Sequence, residues 1–377
     1  MTRALEEAET LEAATFPIAL DAGRRASAVA TPRKREAAVG RVVELDALRG
    51  LAAAGVLLFH LPLGFWFGAT GVDLFFVLSG YLITGIILRN QGMHGFLRAF
   101  YARRALRIFP IYYLALAIVV AINSLHKHPD SMRGMPFCLF YVQGIQHYWG
   151  ATPPPLLSNF GHSWTLAIEE QFYPFWPLAV TTLGRKRFWL LGSALLILPL
   201  VLRSIGLSGG VLLGHCEGLA LGGILAGASE WLNHSKARRR LALMLALSLP
   251  CVFLFRHAAK LCEGHSALIF ESGGLLAMSL SYCALVGLVV SGAGHRSLWF
   301  LRLAPLAALG QISYGLYLYH WIIYENLDAV FKFGMHCGDP WWLDLLKVAT
   351  ALTAAAASWR WIEKPILRLK DKFSYAA

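Results

Sequence analysis

An arginine and a histidine in one apolar stretch are the first residues whose types and spacing could do chemistry. Arg49 and His60 are eleven residues apart in ELDALRGLAAAGVLLFH. Eleven residues of α-helix turn through about 1100°, so both side chains would share one face, about 16 Å apart along the axis. A guanidinium binds anions, and an imidazole transfers protons near neutral pH. The alternatives are an arginine anchored at a membrane surface and a histidine that is hydrogen-bonded in the interior.

Three further arginines cluster in FYARRALRIFPIYY. Arg103 and Arg107 are spaced i, i+4, so they would share a helical face, with Arg104 beside them. Guanidinium groups bind phosphate through paired hydrogen bonds, and Pro110 is expected to break the helix just beyond the cluster. The cluster favours a site for a phosphate-rich molecule. Positive anchors at the end of a membrane helix are the alternative for one or two of the arginines.

Carboxylates also stand in apolar surroundings. Asp73 lies near the start of the run GVDLFFVLSGYLIT. A contact between Asp73 and His60 across a short hairpin would hold the tautomer of the imidazole. The alternative is that Asp73 caps the start of its helix. Glu169 and Glu170, in HSWTLAIEEQFYPFWP, would point about 100° apart at a depth near that of His60. Buried carboxylates need partners, so a functional role is favoured for both glutamates.

A strip of polar aromatic residues leads to another histidine in ISYGLYLYHWIIYENL. Tyr314, Tyr317 and His320 repeat at steps of three residues, which gives a slowly rotating strip on a helix. Tyrosines at a membrane interface explain the first two positions equally well. They explain His320 less well, so His320 becomes a further catalytic candidate.

The segments that carry these residues are apolar enough to be membrane spans. Hydrophobic residues make up 57% of the 377 residues and charged residues 15%, whereas soluble proteins average about 25% charged residues. A span needs about 20 mainly apolar residues. The sequence therefore predicts an all-α, polytopic transmembrane bundle rather than a soluble protein. The ten predicted spans are 44–64, 70–89, 103–123, 162–183, 188–206, 210–231, 240–256, 266–291, 304–328 and 341–362.

The positive charge has a topological explanation. A net charge of +12 first suggests nucleic acid or anionic lipid as a partner. When the connectors are assigned alternately to two sides, most lysines and arginines fall on one side, which the positive-inside rule places in the cytoplasm. Both termini are then cytoplasmic, His60 lies nearer the outside, and no nucleic-acid partner is expected.

The predicted organisation has three parts. Residues 1–42 form a disordered cytoplasmic tail, residues 43–370 the transmembrane domain, and residues 371–377 a short cytoplasmic tail. The long outer connector 124–161 is expected to contain a re-entrant or interfacial helix, followed by a rigid turn at Pro153–Pro155. The six cysteines form no Cys-x-x-Cys pair, so neither a metal site nor a redox motif is predicted.

Taken in order, the motifs quoted above and the closing WIEKPILRL resemble the membrane acyltransferase family called acyltransferase-3. The resemblance covers roughly residues 44–370. Members of that family have about ten helices and transfer acyl groups, often acetyl, from cytoplasmic acyl-coenzyme A to sugars on exported or lipid-linked glycans. The resemblance implies that Arg49 and His60 are the essential pair. It also implies that Arg103, Arg104 and Arg107 bind the phosphates of coenzyme A.

The resemblance sets further expectations. Acyl-coenzyme A would be a co-substrate, with no permanently bound cofactor, and the acceptor a carbohydrate or glycoconjugate. The protein would lie among the lipids of the inner (plasma) membrane. Many larger members carry an extracytoplasmic hydrolase-like domain after the membrane part. A chain of 377 residues resembles a stand-alone member, which leaves room for an extracytoplasmic partner protein.

The hypothesis for catalysis gives His60 the central role, as a general base or as a transiently acylated nucleophile. Asp73 or Glu170 would orient its imidazole, and a tyrosine or His320 would polarise the carbonyl. Glu169 completes the set of catalytic candidates. The competing hypothesis is a transporter or flippase with a His–Glu proton relay. The acceptor glycan and the choice between acetyl, succinyl and longer acyl groups are not readable from the sequence.

Overall fold

The computed structural model describes residues 42–125, 133–145, 160–206, 210–262, 269–335 and 340–375. Within these ranges the chain forms helices and turns and no strand, which confirms the predicted all-α class. An apolar chain in lipid folds in this way because a helix satisfies its backbone hydrogen bonds internally. The helices are α1 (Val43–Phe59), α2 (Gly71–Asn90), α3 (Phe96–Leu125), α4 (Met135–Leu139), α5 (Trp164–Ser204), α6 (Glu217–Gly227), α7 (Ser235–Leu261), α8 (Leu275–Ser291), α9 (Ala304–Asp328) and α10 (Trp341–Ser358).

Each predicted span contains a helix. The two spans predicted at 162–183 and 188–206 are the two arms of α5, which is broken at Gly184, where φ is 71° and ψ is 168°. Glycine adopts this left-handed backbone without a steric penalty. By length and composition, stretches within α2, α3, the second arm of α5, α7 and the region of α8 are able to cross a membrane on their own.

The span predicted at 210–231 is wrong as a continuous helix. The structure has a short 3-10 turn at Leu212–Gly214, the 11-residue helix α6 and a separate turn of helix at Ser229–Leu232. At 1.5 Å per residue α6 is about 16 Å long, which is too short to span a bilayer. Almost all of α6 is buried inside the protein. Broken helices are tolerated at membrane depth when protein surrounds them.

The expected break at Pro110 does not occur. Helix α3 runs through Pro110 without interruption for 30 residues. A proline removes one backbone hydrogen bond, but neighbouring helices and local adjustment make this loss tolerable in membrane helices. Arg104, Arg107 and the tyrosines beyond Pro110 therefore stand on one continuous helix.

Within its described residues, the long connector contains one short α-helix, α4, of 5 residues. It packs against α3, because Tyr112 and Tyr113 donate hydrogen bonds to the carbonyls of Cys138 and Leu139 at 2.8 and 3.0 Å. The predicted turn at Pro153–Pro155 lies outside the described residues. Residues 1–41, which make up nearly all of the predicted N-terminal tail, lie outside them too.

Close approach of helices sets the positions of the functional residues. A side chain at Gly310 of α9 would meet the carbonyl oxygen of Asp46 at 2.0 Å, and one at Gly50 of α1 would meet the backbone of Gly310 at 2.9 Å. Small residues at such crossings let membrane helices pack backbone to backbone. This contact holds α1 and α9 side by side, so that the outer parts of both helices face each other.

The periphery of the bundle is apolar on its exposed side. Helix α2 is central, with 78% of its most apolar window buried, whereas only 17% of the corresponding window of α7 is buried. Large side chains such as Leu190 and Leu254 are mostly exposed. Soluble proteins rarely show apolar faces of this extent, and the pattern fits helices that face lipid. The end of the bundle where α1 begins is called the inner end below, and the end where α1 finishes is called the outer end.

Candidate active site

Three histidines meet near the outer end of the bundle. His60 follows the last residue of α1, His320 lies on α9, and His162 lies in the 3-10 turn Gly161–Ser163 before α5. Nε2 of His320 is 3.2 Å from Nδ1 of His60. The rings of His162 and His320 have centroids 5.3 Å apart. We call these three residues the histidine cluster.

The hydrogen bonds fix the tautomers of His320 and His60. Nδ1 of His320 is 2.6 Å from the carbonyl oxygen of Tyr317, and a carbonyl only accepts, so Nδ1 carries the proton and Nε2 is an acceptor. Nδ1 of His60 lies 2.9 Å from the carbonyl oxygen of Val56 and must also be a donor. Nε2 of His60 therefore carries the lone pair. His320 is fully buried and His60 is half-buried, so the basic nitrogen belongs to the accessible histidine.

His162 was not singled out from the sequence. Its Nε2 is 3.1 Å from the carbonyl oxygen of Leu318 and donates to it, and its Nδ1 is buried without a hydrogen-bond partner among the described residues. The only available signal was its place in front of the WTLAIEEQFYP run. No group of three or more metal-ligating side chains is found in the part of the chain that the structure describes. The histidine cluster is not such a group either, because Nε2 of His320 faces the protonated Nδ1 of His60.

A second polar centre lies deeper in the bundle. Arg49 of α1 and Arg104 and Arg107 of α3 line a cavity of about 70 Å³, together with Glu169 of α5. Arg104 and Arg107 are spaced i, i+3, which puts them on one face of α3. The remaining lining comes from α2, α5 and α9, including Thr165 and Tyr317. We call this space the arginine cavity.

Contacts hold Arg104 in place. Its guanidinium lies 3.3 Å from the ring centre of Tyr173, and its Nη2 is 3.8 Å from Oε2 of Glu169. The hydroxyl of Tyr173 donates a hydrogen bond to the same carboxylate oxygen. Glu169 thus belongs to the arginine cavity. Its predicted position near His60 is corrected, because its helix brings it to α3 rather than to the end of α1.

Arg103 does not line the arginine cavity. Its Nε donates to the carbonyl oxygen of Phe373 at 2.5 Å, and its guanidinium lies 4.4 Å from the ring centre of Tyr375. The C-terminal segment is therefore docked on the inner end of α3. The predicted cluster of three arginines is thus divided, because Arg104 and Arg107 line the cavity whereas Arg103 contacts the C-terminal segment.

Glu363, within the motif WIEKP, supplies a further carboxylate near the arginines. It ends the π-helical turn Trp359–Glu363 that follows α10. Its Oε1 accepts a hydrogen bond from Ser358 at 3.2 Å, and its charge acts on Arg107. π-Helical turns within helices occur often at functional sites. The sequence motif alone gave no reason to place this glutamate beside the arginines, since more than 250 residues separate it from Arg107.

Tyr317 is shared by the arginine cavity and the histidine cluster. Its hydroxyl donates to the carbonyl oxygen of His162 at 2.5 Å and lies 2.6 Å from Oγ1 of Thr165. Its ring centroid is 5.8 Å from that of His320. Tyr317 therefore belongs both to the lining of the arginine cavity and to the contacts of the histidine cluster.

Asp73 has a different partner from the one predicted. Its Oδ1 is 2.9 Å from Nε2 of His215, and both side chains are buried. The hydrogen bonds of His60 go to Val56 and His320. The expected Asp73–His60 contact is therefore wrong, because the segment before α6 inserts His215 against the start of α2.

A buried ion pair lies close to Asp73 and His215. Nη1 of Arg203 is 2.8 Å from Oε1 of Glu217, and Arg203 also donates to the carbonyl oxygen of Gly214. Both side chains are 1% exposed. Sequence reasoning missed this pair and His215. The available signals for this pair were Arg203 at the end of one apolar segment and Glu217 at the start of the next helix.

Glu170 does not line the arginine cavity, although the charge of Arg104 acts on it. Its Oε1 is buried and has no hydrogen-bond partner among the described residues. The transporter hypothesis required a glutamate to exchange protons with a histidine. In the described residues, Glu169 pairs with Tyr173 and Arg104, and Glu170 makes no hydrogen bond through Oε1 to any histidine.

The described residues combine a cavity lined with guanidiniums and a cluster of three histidines within a bundle of apolar helices. Residues 42–360 match the family model described as an acyltransferase domain, so the chain belongs to the acyltransferase-3 family. No solved structure matches the chain.

Curated relatives carry related names. The chain is 29% identical over 364 residues to a peptidoglycan O-acetyltransferase of Listeria monocytogenes, which covers 86% of this chain and 56% of the relative. It is 30% identical over 357 residues to a putative peptidoglycan O-acetyltransferase of Bacillus subtilis, covering 85% of this chain and 54% of the relative. Putative O-acetyltransferases of Staphylococcus aureus are 27% identical over 351 residues. The chain thus spans about half the length of these relatives.

Proposed function

We propose that the protein transfers an acetyl group from acetyl-coenzyme A to a sugar hydroxyl of an exported glycan, with peptidoglycan as the first acceptor to test. The observation that carries the proposal is the position of Tyr317, which lines the arginine cavity and contacts His162 and His320 of the histidine cluster. The names of the relatives support O-acetylation as the reaction. The predicted sidedness places the arginines towards the cytoplasm and His60 towards the outside of the inner membrane.

The donor end of the reaction uses the arginines. The three guanidiniums of the cavity stand near three carboxylates, those of Asp46, Glu169 and Glu363. Their N–H groups would donate hydrogen bonds to an anionic donor and to the oxygen of a reacting thioester. A cavity of about 70 Å³ offers room for roughly two water molecules. It therefore suits the thioester end of a donor, while the phosphates bind towards the inner end.

The chemical step proceeds at His60. Nε2 of His60 takes the proton of the acceptor hydroxyl as that oxygen attacks the thioester carbon. The C–O bond of the ester forms, the C–S bond breaks, and the proton passes from His60 to the coenzyme A sulfur. The hydrogen bond from Nδ1 of His60 to Nε2 of His320 stabilises the imidazolium formed in this step, because His320 keeps its lone pair towards that proton.

The test is replacement of His60 by alanine. General-base catalysis contributes about 10²–10⁴-fold, so the variant should lose at least about 100-fold in the rate of acetyl transfer from labelled acetyl-coenzyme A to glycan in membrane vesicles. His94, exposed in the loop after α2, gives a matched control, and His94→Ala should transfer at the wild-type rate. Wild-type activity in folded, membrane-inserted His60→Ala protein would overturn the proposal.

A further inference from the structure

An apolar groove lies on the exposed side of α7, against the last turn of α8. It has a volume of about 680 Å³, and every residue that lines it is apolar. Ala242 and Ala246, spaced i, i+4 on one face of α7, leave the hollow because their side chains are small. Phe253 and Leu254, which are 50% and 65% exposed, line its outer part, and Leu288 contributes a wall from α8. We call this space the α7 groove.

The length of the α7 groove matches a lipid chain. Its lining residues Ala242 and Leu254 are 12 positions apart, which is about 18 Å along a helix. One leaflet of a bilayer contains roughly 15 Å of hydrocarbon, half of the apolar core. Only 17% of the most apolar window of α7 is buried, so the groove opens towards lipid. An acyl chain that lies parallel to α7 can therefore contact the groove along its whole length.

Arginines stand at the inner end of the α7 groove. Arg238 lies one turn of α7 before the groove, and its Nη2 donates to the carbonyl oxygen of Ser291 at 2.7 Å. Ser291 ends α8 one turn after Leu288, so this contact lies just beyond the groove. Seven residues, or about 700°, separate Arg239 from Ala246, which puts both within about 20° of one face of α7. Both arginines are exposed and can donate hydrogen bonds to a ligand in the groove.

The start of α7 carries a strong positive charge. Helix α7 begins with SKARRR and contains no acidic residue among its 27 residues. Lys236 and Arg240, both exposed, add to the charge of the two arginines at the groove. Glu230, on the turn of helix before α7, is the one acidic residue of this part of the sequence. Four basic residues thus stand against one carboxylate.

This charge lies at the level where lipid headgroups are expected. The backbone N–H of Gly294, just after α8, donates to Oε1 of Glu44 at 3.0 Å, so the end of α8 lies beside the start of α1 at the inner end. The connector that follows exposes 62% of Trp299. Tryptophan is enriched at the membrane–water interface. The arginines at the start of α7 therefore lie at the depth of a lipid phosphate.

We propose that the α7 groove binds an anionic phospholipid, with its phosphate at Arg238 and Arg239 and one acyl chain along the groove. Guanidiniums bind phosphate through paired hydrogen bonds, and basic pockets between membrane helices bind anionic headgroups. A zwitterionic headgroup would bring its ammonium group against the basic start of α7, which disfavours it. The site is separate from the arginine cavity, to which α7 and α8 contribute no lining residue, and it does not depend on the proposed reaction.

Native mass spectrometry of the full chain in detergent measures the binding. The protein is titrated with dioleoyl-phosphatidylglycerol and, separately, with dioleoyl-phosphatidylethanolamine, which has the same acyl chains and no net charge. The first variant, Arg238→Gln with Arg239→Gln, removes the charge at the headgroup. The second, Ala246→Phe, fills the groove. The matched controls are Arg360→Gln with Arg368→Gln, and Ala356→Phe, all at exposed positions on or after α10.

The wild type should bind phosphatidylglycerol at least about tenfold more tightly than phosphatidylethanolamine, as expected for two arginines near a net negative charge. The double arginine variant should lose this preference. Ala246→Phe should raise the Kd of both lipids about tenfold, the effect of losing contact with about two methylene groups. Both controls should bind both lipids as the wild type does.

Equal binding of the two lipids by the wild type would overturn the inference, as would an unchanged Kd for phosphatidylglycerol in either test variant. A lipid-free dimer that Ala246→Phe dissociates would also overturn it, because the groove would then hold a second copy of the chain.

Discussion

Nε2 of His320 faces Nδ1 of His60 at 3.2 Å, and the proton between them belongs to His60. Helices α1 and α9 bring these residues together although 260 positions separate them. The hydrogen bond turns the basic Nε2 of His60 away from His320 and leaves it available to a substrate. We therefore propose that His320 acts as a positioning residue in this arrangement, while its role in polarising the carbonyl stays a prediction.

The first prediction concerns His320. Replacement by leucine removes one of the two acceptors of Nδ1 of His60 and leaves the carbonyl oxygen of Val56. The imidazolium loses a stabilising partner, so kcat for acetyl transfer should fall at least about tenfold with little change in donor KM. His320→Gln should retain more activity, because its amide oxygen can accept the same proton. Steady-state rates in vesicles, measured across a range of pH, check this. Equal losses in the two variants would count against a positioning role.

The second prediction separates Arg104 from Arg103. Arg104 lines the arginine cavity and Arg103 binds the C-terminal segment through Phe373 and Tyr375. Arg104→Gln should raise the donor KM about tenfold or more, as expected for a lost charged hydrogen bond. Arg103→Gln should leave the donor KM unchanged and release the segment that ends near Tyr375.

Carboxypeptidase digestion followed by mass spectrometry measures that release. The Arg103 variant should be trimmed past Tyr375 faster than the wild type, and the Arg104 variant should be trimmed at the wild-type rate. A raised donor KM in the Arg103 variant would show that Arg103 also serves the donor.

The third prediction concerns the buried pair Arg203–Glu217. Glu217→Gln leaves the guanidinium without its counter-charge and should destabilise the protein by about 3–5 kcal/mol. The double variant Arg203→Met, Glu217→Leu should recover much of that loss, because apolar residues of similar size can replace a buried ion pair. Thermal unfolding in detergent compares the three proteins. A double variant less stable than Glu217→Gln would show that the charges themselves hold the fold.

The fourth prediction concerns the crossing of α1 and α9. A methyl group at Gly310 would lie 2.0 Å from the carbonyl oxygen of Asp46, so Gly310→Ala must push the helices apart. The cost should be about 1–3 kcal/mol, and the transfer rate should fall because His320 moves away from His60. Gly85→Ala is the matched control, since its nearest contact would be 3.5 Å away. Thermal unfolding and the transfer rate should both remain at wild-type values in the control.

Local sequence patterns predicted the helices well because membrane helices depend on local composition. Helices lie in all ten predicted segments, and the glycine between the fourth and fifth spans forms the break in α5. The failures have local and tertiary causes. Pro110 did not break α3, because packing compensates for one lost hydrogen bond. Helix α6 is shorter than its apolar segment suggested, because burial in protein removes the need to span the lipid.

The sequence by itself determined the class of protein, the helical segments and the types of residue available for chemistry. It predicted Arg49, Arg103, Arg104 and Arg107 for an anion and His60 for a proton. The family resemblance rested on the same short motifs, which the family match confirms. These features depend on residue type and on spacing within one helix, both of which the sequence displays directly.

Only the tertiary structure decided which residues are partners. It paired Asp73 with His215, gave Arg103 to the C-terminal segment, brought Glu363 to the arginines and joined His320 to His60. Each of these contacts joins residues far apart in the chain. Their distances depend on how the helices cross, and the crossings depend on close backbone contacts such as that between Gly310 and Asp46. A pattern within one segment carries no information about the face that a distant helix will present to it.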